Sequence, residues 1–329
     1  MKKKLLILLI LLSVVIIFLL YGPYKTFRNF WITSAMKTKS HRYLATMIYS
    51  DKTIQEVLNN NRVNEISEIT NPDLIEIKKY KKSEIIFKDK YEKEILLNNN
   101  GKYKIIDIKE KLYNGFLVVI YDPSKVELAT SKYLNQEGEK ITTVAKREKA
   151  IIAINGGGFY DPNWSSNGAI PHGTVIKNGK VISDYKETEL SGFIGFNNDH
   201  KLILGKMTTE EAINIGYKDA LEFGPLLIIN GKKSKIKGNG GWGISSRTAI
   251  GQRKDGIVLF LVINGRIPTS IGADMNDVVD ILKRYKAYNA ANLDGGSSTA
   301  LVVNNKVINT PVGGGKDGLR KIPTFWIVK

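Results

Sequence analysis

The chain has 329 residues, enough for one large domain or for a smaller domain with an N-terminal extension. Hydrophobic residues make up 43% and charged residues 25%, the proportions of a folded globular protein, which excludes extensive disorder. The net charge of +17 favours an anionic partner, although a Lys-, Asn- and Ile-rich composition is an alternative source of that charge. No nucleic-acid-binding motif accompanies it, so we expect no nucleic-acid partner.

The N-terminus carries a membrane signal. Lys2, Lys3 and Lys4 precede a hydrophobic segment from Leu5 to Leu20, which is slightly short for a membrane span and slightly long for the core of a cleaved signal peptide. No small-residue cleavage site follows the segment, which favours a retained signal-anchor over residues 1–22. The basic end then lies inside, and the remainder of the chain lies outside the cytoplasm at the cell membrane.

A membrane-proximal region is predicted over residues 23–112. Apolar positions between residues 33 and 60 fit two short helices, with a boundary at Ser50 and Asp51. The rest, as far as residue 112, is rich in Lys, Glu and Asn and contains a turn signal at residues 98–101. We interpret it as a stalk or a small accessory region, and it carries no recognisable chemistry.

The main domain is predicted over residues 113–329. Short β-branched runs, FLVVIY, VELATS and AIIAIN, indicate strands. Three later pairs predict tight hairpin turns, because Asn and Gly accept the positive φ angles of such turns; they are Asn178-Gly179, Asn230-Gly231 and Asn304-Asn305. Hairpins with few helices favour an α+β fold, with a β-rich mixed or antiparallel sheet core.

Two helices interrupt these strands. Thr208 and Glu211 form a capping-box pattern at the start of the first. The second is predicted to begin after Asp274, since Asp277 falls in its first turn and apolar residues recur at helical spacing from Val278 onward.

Glycine-rich clusters follow several strands, and such loops expose backbone N–H groups that can cradle an anion. Tight turns are the plainer explanation for any one of them. The spacing Gly238-x-Gly240-x-x-Gly243 is followed by a strand pattern and not by the helix of a dinucleotide site. Lys316 is followed by Asp317, so a phosphate-binding loop of the ATPase type is excluded. We expect no cofactor.

The sequence gives little support to a serine, cysteine or metal-dependent hydrolytic centre. Ser297 and Ser298 lack the nucleophile elbow of a serine hydrolase, and the absence of cysteine removes thiol nucleophiles. Of three histidines, His172 is the candidate that lies near glycine-rich loops, where it could line a site. No metal-ligand spacing is present, so we expect no metal.

The remaining candidates for site residues are an arginine and a carboxylate. Arg247 lies within a predicted strand, where it could bind phosphate or form an ordinary ion pair. Asp294 ends a predicted strand directly before two glycines, which would place its carboxylate at a loop-lined cleft, unless it only caps a turn.

Taken in order, INGGGFYDPN, GTVIKNGKVI, FGPLLIINGK, RTAIGQRKDG and NLDGGSST resemble the phosphodiester glycosidase family, from about Lys149 to the C-terminus. The N-terminal region more loosely resembles membrane-anchored bacterial members, often labelled exopolysaccharide biosynthesis proteins. The resemblance implies a site that comprises Asn155, Gly156, Gly157, Arg247, Asp294, Gly295, Gly296, Ser297 and Ser298. One departure is that many relatives have NGGFF where this chain has an extra glycine before Phe159.

The resemblance implies hydrolysis of a sugar-1-phosphodiester, with Asp294 as nucleophile or as base toward water. Arg247, helped by Arg320, would bind the phosphate, and Asn155 would orient a sugar hydroxyl or a phosphate oxygen. Asp161 is a second carboxylate in reserve. The expected partner is an anionic, phosphodiester-linked glycan of the cell surface, such as a wall polymer.

Two other classes of function stay open. One is a noncatalytic surface module that binds anionic glycan during exopolysaccharide assembly, and the other is a wall-assembly scaffold that acts through residues 33–112.

Overall fold

The computed structural model describes residues 2–37, 41–78, 87–97, 101–162, 166–185 and 192–329. The predicted turn at Asn98, Asn99 and Asn100 lies outside these residues. The helices are α1 (Lys2–Tyr21), α2 (Lys25–Lys37), α3 (Tyr43–Thr46), α4 (Asp51–Asn60), α5 (Lys90–Leu96), α6 (Ile141–Arg147), α7 (Thr209–Ile215) and α8 (Met275–Arg284). The strands are β1 (Arg62–Asn64), β2 (Tyr103–Lys109), β3 (Asn114–Ile120), β4 (Val126–Thr130), β5 (Glu139–Lys140), β6 (Ile152–Asn155), β7 (Gly173–Lys177), β8 (Lys180–Tyr185), β9 (Gly192–Asn197), β10 (Leu202–Gly205), β11 (Tyr217–Phe223), β12 (Leu226–Ile229), β13 (Lys232–Lys233), β14 (Lys235–Lys237), β15 (Arg247–Arg253), β16 (Val258–Ile263), β17 (Ala287–Asn292), β18 (Leu301–Val303), β19 (Lys306–Val307), β20 (Lys321–Ile322) and β21 (Thr324–Val328).

Among the described helices, α1 alone has the length and composition to cross a membrane. Its apolar part, Lys3–Tyr21, has 19 residues and a mean hydropathy of 3.0. At 1.5 Å per residue this part is about 28 Å long, close to the thickness of a hydrocarbon core. Its one hydroxyl, on Ser13, donates to the carbonyl oxygen of Leu9 over 2.9 Å, so it needs no partner outside the helix.

The next three helices form a small cluster at the end of α1. Ile32, Ala45 and Ile54 are buried together at the centre of this cluster. Tyr49 donates its hydroxyl to the carbonyl oxygen of Leu20 over 2.9 Å, which ties the cluster to the last turn of α1. Three helices thus occupy the region in which two were predicted between residues 33 and 60, and the first of them, α2, begins earlier, at Lys25.

The remainder is an α+β fold, as predicted. A seven-stranded sheet has the order β13-β12-β17-β15-β16-β3-β2, and two five-stranded sheets have the orders β19-β18-β6-β21-β4 and β10-β9-β11-β7-β8. Every described strand pair is antiparallel. Strand β2 pairs with β3 across the predicted boundary between residues 112 and 113, and the division into three regions stays a prediction.

Both faces of the seven-stranded sheet are buried, which explains its continuous apolar runs. On β3, Val118 and Ile120 point into the core shared with the two other large sheets, where Trp326 is fully buried. Leu117 and Val119 alternate with them and face the opposite side. There they join the second core, which α8 covers. The resulting layers fix the ends of β15 and β17.

The predictions for three hairpin turns and two helix caps are confirmed. The three predicted hairpins join β7 to β8, β12 to β13 and β18 to β19, and each turn has positive φ at both central residues. Thr208 and Glu211 form the capping box of α7, and Asp274 and Asp277 form that of α8. In both helices the backbone groups of the first turn are satisfied by side chains of the same segment.

Candidate active site

Arg247 and Asp294 line one cavity of about 200 Å³. They meet because β15 and β17 are antiparallel neighbours, so the start of one lies beside the end of the other. Arg247 is the first residue of β15, and Asp294 follows the last residue of β17 by two positions. The pairing continues beyond the strands, since the N–H of Gly296 donates to the carbonyl oxygen of Ser246 over 2.9 Å.

Asp294 occupies a half-buried position in the wall of this cavity. Burial raises the pKa of its carboxyl to about 6. Hydrogen bonds from the Ser298 hydroxyl and the Gly295 N–H act in the opposite direction and lower the pKa. The positive charge of Arg320 also lowers that pKa, and the negative charge of Asp161 raises it. The carboxyl group therefore titrates between the ordinary value for aspartate and neutral pH, in the range that suits an acid–base group.

Asn155 lies behind Asp294 and is completely buried at the end of β6. Its amide nitrogen donates to the backbone carbonyl oxygen of Asp294 over 2.6 Å. Its oxygen accepts from the Thr248 hydroxyl over 2.7 Å and from the Ala300 N–H over 3.2 Å. Asn155 is not among the residues that line the cavity, and these bonds use its polar atoms to hold the surrounding backbone.

Arg247 is 3% exposed, and backbone carbonyl groups hold its guanidinium. Nε donates to Ala273 over 2.9 Å, and Nη2 donates to Trp242 over 2.7 Å and to Gly243 over 2.5 Å. Burial and the positive charge of Arg266 lower its pKa to about 10, so it remains a cation at neutral pH. No described carboxylate forms an ion pair with it, and the guanidinium keeps its charge for the cavity.

Arg320 also lines the cavity. Arg320 pairs with Asp161 over 2.6 Å, and the same guanidinium donates to the Ser297 hydroxyl over 3.2 Å. It also lies over the ring of Phe159, 4.9 Å from the centroid. Asp161, the reserve carboxylate of the sequence prediction, is thus in the cavity wall and is neutralised by an arginine.

The predicted glycines divide into two groups. A Cβ on Gly156 would lie 2.5 Å from the Thr324 hydroxyl oxygen, and one on Gly157 would lie 3.2 Å from the Leu221 side chain, so both serve close packing behind the cavity. Gly295 and Gly296 line the cavity, as do Ser297 and Ser298.

His172 is half-buried and lies outside the set of residues that line the cavity. Its backbone N–H donates to the carbonyl oxygen of Gly158, which does line it, over 2.9 Å. A contact between His172 and substrate stays a prediction.

Several cavity residues were not predicted from the sequence. Arg266 adopts a φ of 59° in the loop after β16 and carries no hydrogen bond or ion pair to another described side chain. Ser245, 4% exposed, lines the cavity with a hydroxyl that has no partner among the described residues. Ser34 and Lys37 reach the cavity from α2, and Trp242 comes from the glycine-rich loop before β15. The sequence carries no local signal for these residues, because their contacts depend on segments that are distant in the sequence.

The cavity can bind an anion. It has cationic groups at Arg247 and Arg266, an unpartnered hydroxyl at Ser245 and backbone groups of a glycine-rich loop. Within the described residues, no group of three or more His, Cys, Asp or Glu side chains could hold a metal ion.

The chain is similar to a known protein family over its C-terminal half. The sequence model of a family described as phosphodiester glycosidase matches residues 148–329. A curated relative, the SPbeta prophage-derived uncharacterized protein YomE of Bacillus subtilis (strain 168), is 29% identical over 199 residues, which make up 57% of this chain and 30% of YomE. The chain thus matches less than a third of the length of that relative.

Among solved structures, the zebrafish N-acetylglucosamine-1-phosphodiester alpha-N-acetylglucosaminidase catalytic domain, auto-inhibited by its pro-peptide, is similar with a TM-score of 0.57 and 22% identity. The match covers 70% of this chain and 84% of the zebrafish chain. This likeness shows that the two chains share a fold.

Proposed function

Because this chain belongs to the phosphodiester glycosidase family, we propose that it hydrolyses the bond between the anomeric carbon of a sugar and the oxygen of a phosphodiester. The observation that carries the proposal is the cavity that Asp294, Arg247 and Arg266 line together. A sugar-1-phosphodiester presents an electrophilic carbon directly beside a phosphate anion. The cavity brings together the carboxylate of Asp294 and the guanidinium groups of Arg247 and Arg266.

In this reaction, positive charge develops at the anomeric carbon and negative charge develops on the departing phosphate. Water adds to the anomeric carbon, the carbon–oxygen bond breaks, and its electron pair leaves with the phosphomonoester. Arg247 and Arg266 stabilise the charge that grows on the departing phosphate. Asp294 either accepts the proton of the attacking water or first forms a glycosyl ester that water then hydrolyses. Both routes need the ionised carboxylate, which a pKa of about 6 supplies at neutral pH.

Other polar residues would act as positioning groups. Asn155 holds the backbone of Asp294 and has no polar atom free for a sugar hydroxyl, so we assign it this role in place of a direct contact. Arg320 is paired with Asp161 and would bind the sugar or the phosphate only through its remaining N–H groups.

We also propose that α1 anchors the enzyme in the cell membrane, with residues 23–329 outside the cytoplasm. The hydropathy and length of α1 and the lysines at its N-terminal end support this placement. A net charge of +17 would concentrate anionic wall glycans near the enzyme, which makes phosphate-containing surface polymers the proposed substrates.

The direct test is hydrolysis of a methyl phosphodiester of N-acetylglucosamine-1-phosphate by the full-length protein in oxygen-18 water. Cleavage at the anomeric carbon places the label in the sugar, and cleavage at phosphorus places it in methyl phosphate. We expect labelled sugar, a loss of at least about 100-fold in kcat/KM for Asp294→Asn, and no change for Asp199→Asn, an exposed aspartate in a turn. Label in the phosphate would refute the glycosidase.

The alternative is a noncatalytic module that binds anionic glycan, favoured by the excess of arginine over carboxylate in the cavity. It predicts binding without turnover across a panel of sugar phosphodiesters. In that case Arg247→Met would weaken binding and Asp294→Asn would leave it intact.

A further inference from the structure

A second cavity of about 730 Å³ adjoins the site, and Lys37 and Trp242 line both cavities. The residues that line this second cavity come both from the region 23–112, including Lys37 and Arg42, and from the main domain, including Phe223 and Trp242. The helices between residues 23 and 60 therefore contribute directly to a cavity that shares lining residues with the site.

The position of α2 is fixed by close contacts with the loop before β15. The amide of Asn239 donates to the Thr33 hydroxyl over 2.7 Å, and the N–H of Ile244 donates to the Ser34 hydroxyl over 3.4 Å. A Cβ on Gly243 would lie 2.6 Å from the Cα of Ser34, so the backbones touch. Lys37, one turn further along α2, is held where its ammonium lies 4.5 Å from the centre of the Trp242 ring.

Three of the four cations that line the second cavity have no anionic partner among the described residues. Glu65, the one acidic side chain among the described residues that line this cavity, forms an ion pair with the fourth cation, Lys206, over 2.5 Å. Within the described part of the chain, Lys37, Arg42 and Arg62 form no ion pair. Partial burial and, to a smaller extent, the nearby positive charges of Arg247 and Arg42 lower the pKa of Lys37.

The charged groups follow a fixed order. Asp294 and Arg247 line the first cavity and not the second, and Nη1 of Arg247 lies 3.6 Å from a Cβ built on Gly295, the residue that follows Asp294. Lys37 follows at the junction with the second cavity, and Arg42 lies beyond it. A substrate with its sugar carbon at Asp294 and its scissile phosphate at Arg247 would direct the other ester arm toward Lys37 and Arg42.

From this order we infer that the second cavity is an aglycone subsite that binds a further phosphate, with Lys37 as its specificity-determining residue. The preferred substrates are then sugar phosphates whose aglycone carries a second phosphate close to the scissile one. This inference rests on the proposed function for the direction of the substrate. The subsite itself rests on the unpaired cations and on their place beside the site.

The test compares two compounds that share the sugar and differ in the aglycone. They are the methyl phosphodiester of N-acetylglucosamine-1-phosphate and UDP-N-acetylglucosamine, used with full-length protein. We expect the wild type to prefer the diphosphate compound and Lys37→Met to lower its kcat/KM at least about fivefold more than that of the methyl ester. Arg62→Gln, which alters only the second cavity, should shift the preference in the same direction.

Lys52→Met, on the exposed face of α4, is the matched control and should change neither substrate. Equal losses on both substrates for Lys37→Met and Arg62→Gln would overturn the subsite while leaving the proposed hydrolysis intact.

A binding experiment keeps the subsite testable if neither compound is hydrolysed, a result that would count against the proposed function alone. Calorimetry with inorganic pyrophosphate and inorganic phosphate should then show tighter binding of pyrophosphate by the wild type. Lys37→Met should remove most of that difference, and an unchanged difference would overturn the inference.

Discussion

The amide nitrogen of Asn155 donates to the backbone carbonyl oxygen of Asp294 over 2.6 Å, although the two residues are 139 positions apart in the sequence. Asn155 ends β6 in one sheet, and Asp294 follows β17 in another. The oxygen of the same amide accepts from Thr248 on β15. One buried side chain thus joins two sheets at the point where the carboxylate enters the cavity.

We predict that Asn155→Ala lowers the free energy of unfolding by about 2–4 kcal/mol, because it leaves three buried polar partners unsatisfied. Turnover should fall as well, since the Asp294 loop loses its support. Urea denaturation and steady-state kinetics measure the two effects. Asn198→Ala, at an exposed turn position, should stay within about 0.5 kcal/mol of wild type. Full stability in Asn155→Ala would show that the amide is not a structural link.

The activity should rise with pH through about 6. Burial raises the pKa of Asp294 to about 6, and both proposed routes use the ionised form, so kcat/KM increases tenfold per pH unit below that value and levels off above it. The measurement is kcat/KM between about pH 4 and pH 8 with the methyl phosphodiester. A flat profile across this range would exclude Asp294 as the titrating group.

The raised pKa of Asp294 also predicts that the free energy of unfolding falls as pH rises. Because the folded state holds the Asp294 proton more tightly than the unfolded chain, the folded state loses stability as pH rises between about 4 and 6. Asp294→Asn cannot ionise, so its stability relative to wild type should be greater at about pH 8 than at about pH 4. We expect a difference of about 1 kcal/mol after allowance for solvent screening. Urea titrations at both pH values measure it, and no difference would contradict the buried-carboxylate explanation.

The sequence predicts those parts of the fold that depend on neighbouring residues. Hairpin turns such as Asn178-Gly179 and the capping boxes of α7 and α8 follow from backbone conformation and short-range hydrogen bonds, and all are confirmed. The strand position of Arg247 was predicted for the same reason, and its entry into a shared cavity follows from the pairing of β15 with β17.

The rest of the site depends on contacts between distant segments. No pattern near Lys37 shows that α2 packs on the loop that carries Trp242, and the sequence alone describes residues 23–112 as a stalk or accessory region. The role of Asn155 likewise depends on contacts with distant segments, which the sequence does not reveal. Its residue type suits a sugar contact, but long-range partners occupy its polar atoms.

We predict that Arg247→Lys lowers kcat/KM at least about 100-fold. A lysine has one ammonium group and cannot bind three backbone carbonyl oxygens while also presenting charge to the cavity. The unpaired carbonyl groups should also lower the free energy of unfolding by about 1–3 kcal/mol. Arg147→Lys, which alters an ion pair with Glu139 outside the catalytic cavity, is the matched control and should retain activity. Retained activity in Arg247→Lys would exclude a need for the anchored guanidinium.

The ion pair of Arg320 and Asp161 should set the acidic midpoint of the pH profile, because its two charges act on Asp294 in opposite directions. The positive charge of Arg320 lowers the pKa of Asp294, and the negative charge of Asp161 raises it. Arg320→Met should therefore move the midpoint of kcat/KM to higher pH, and Asp161→Asn should move it to lower pH. Profiles of wild type and both variants on the same substrate measure the shifts. Two shifts in the same direction would show that the pair acts on Asp294 through the shape of the loop and not through its charge.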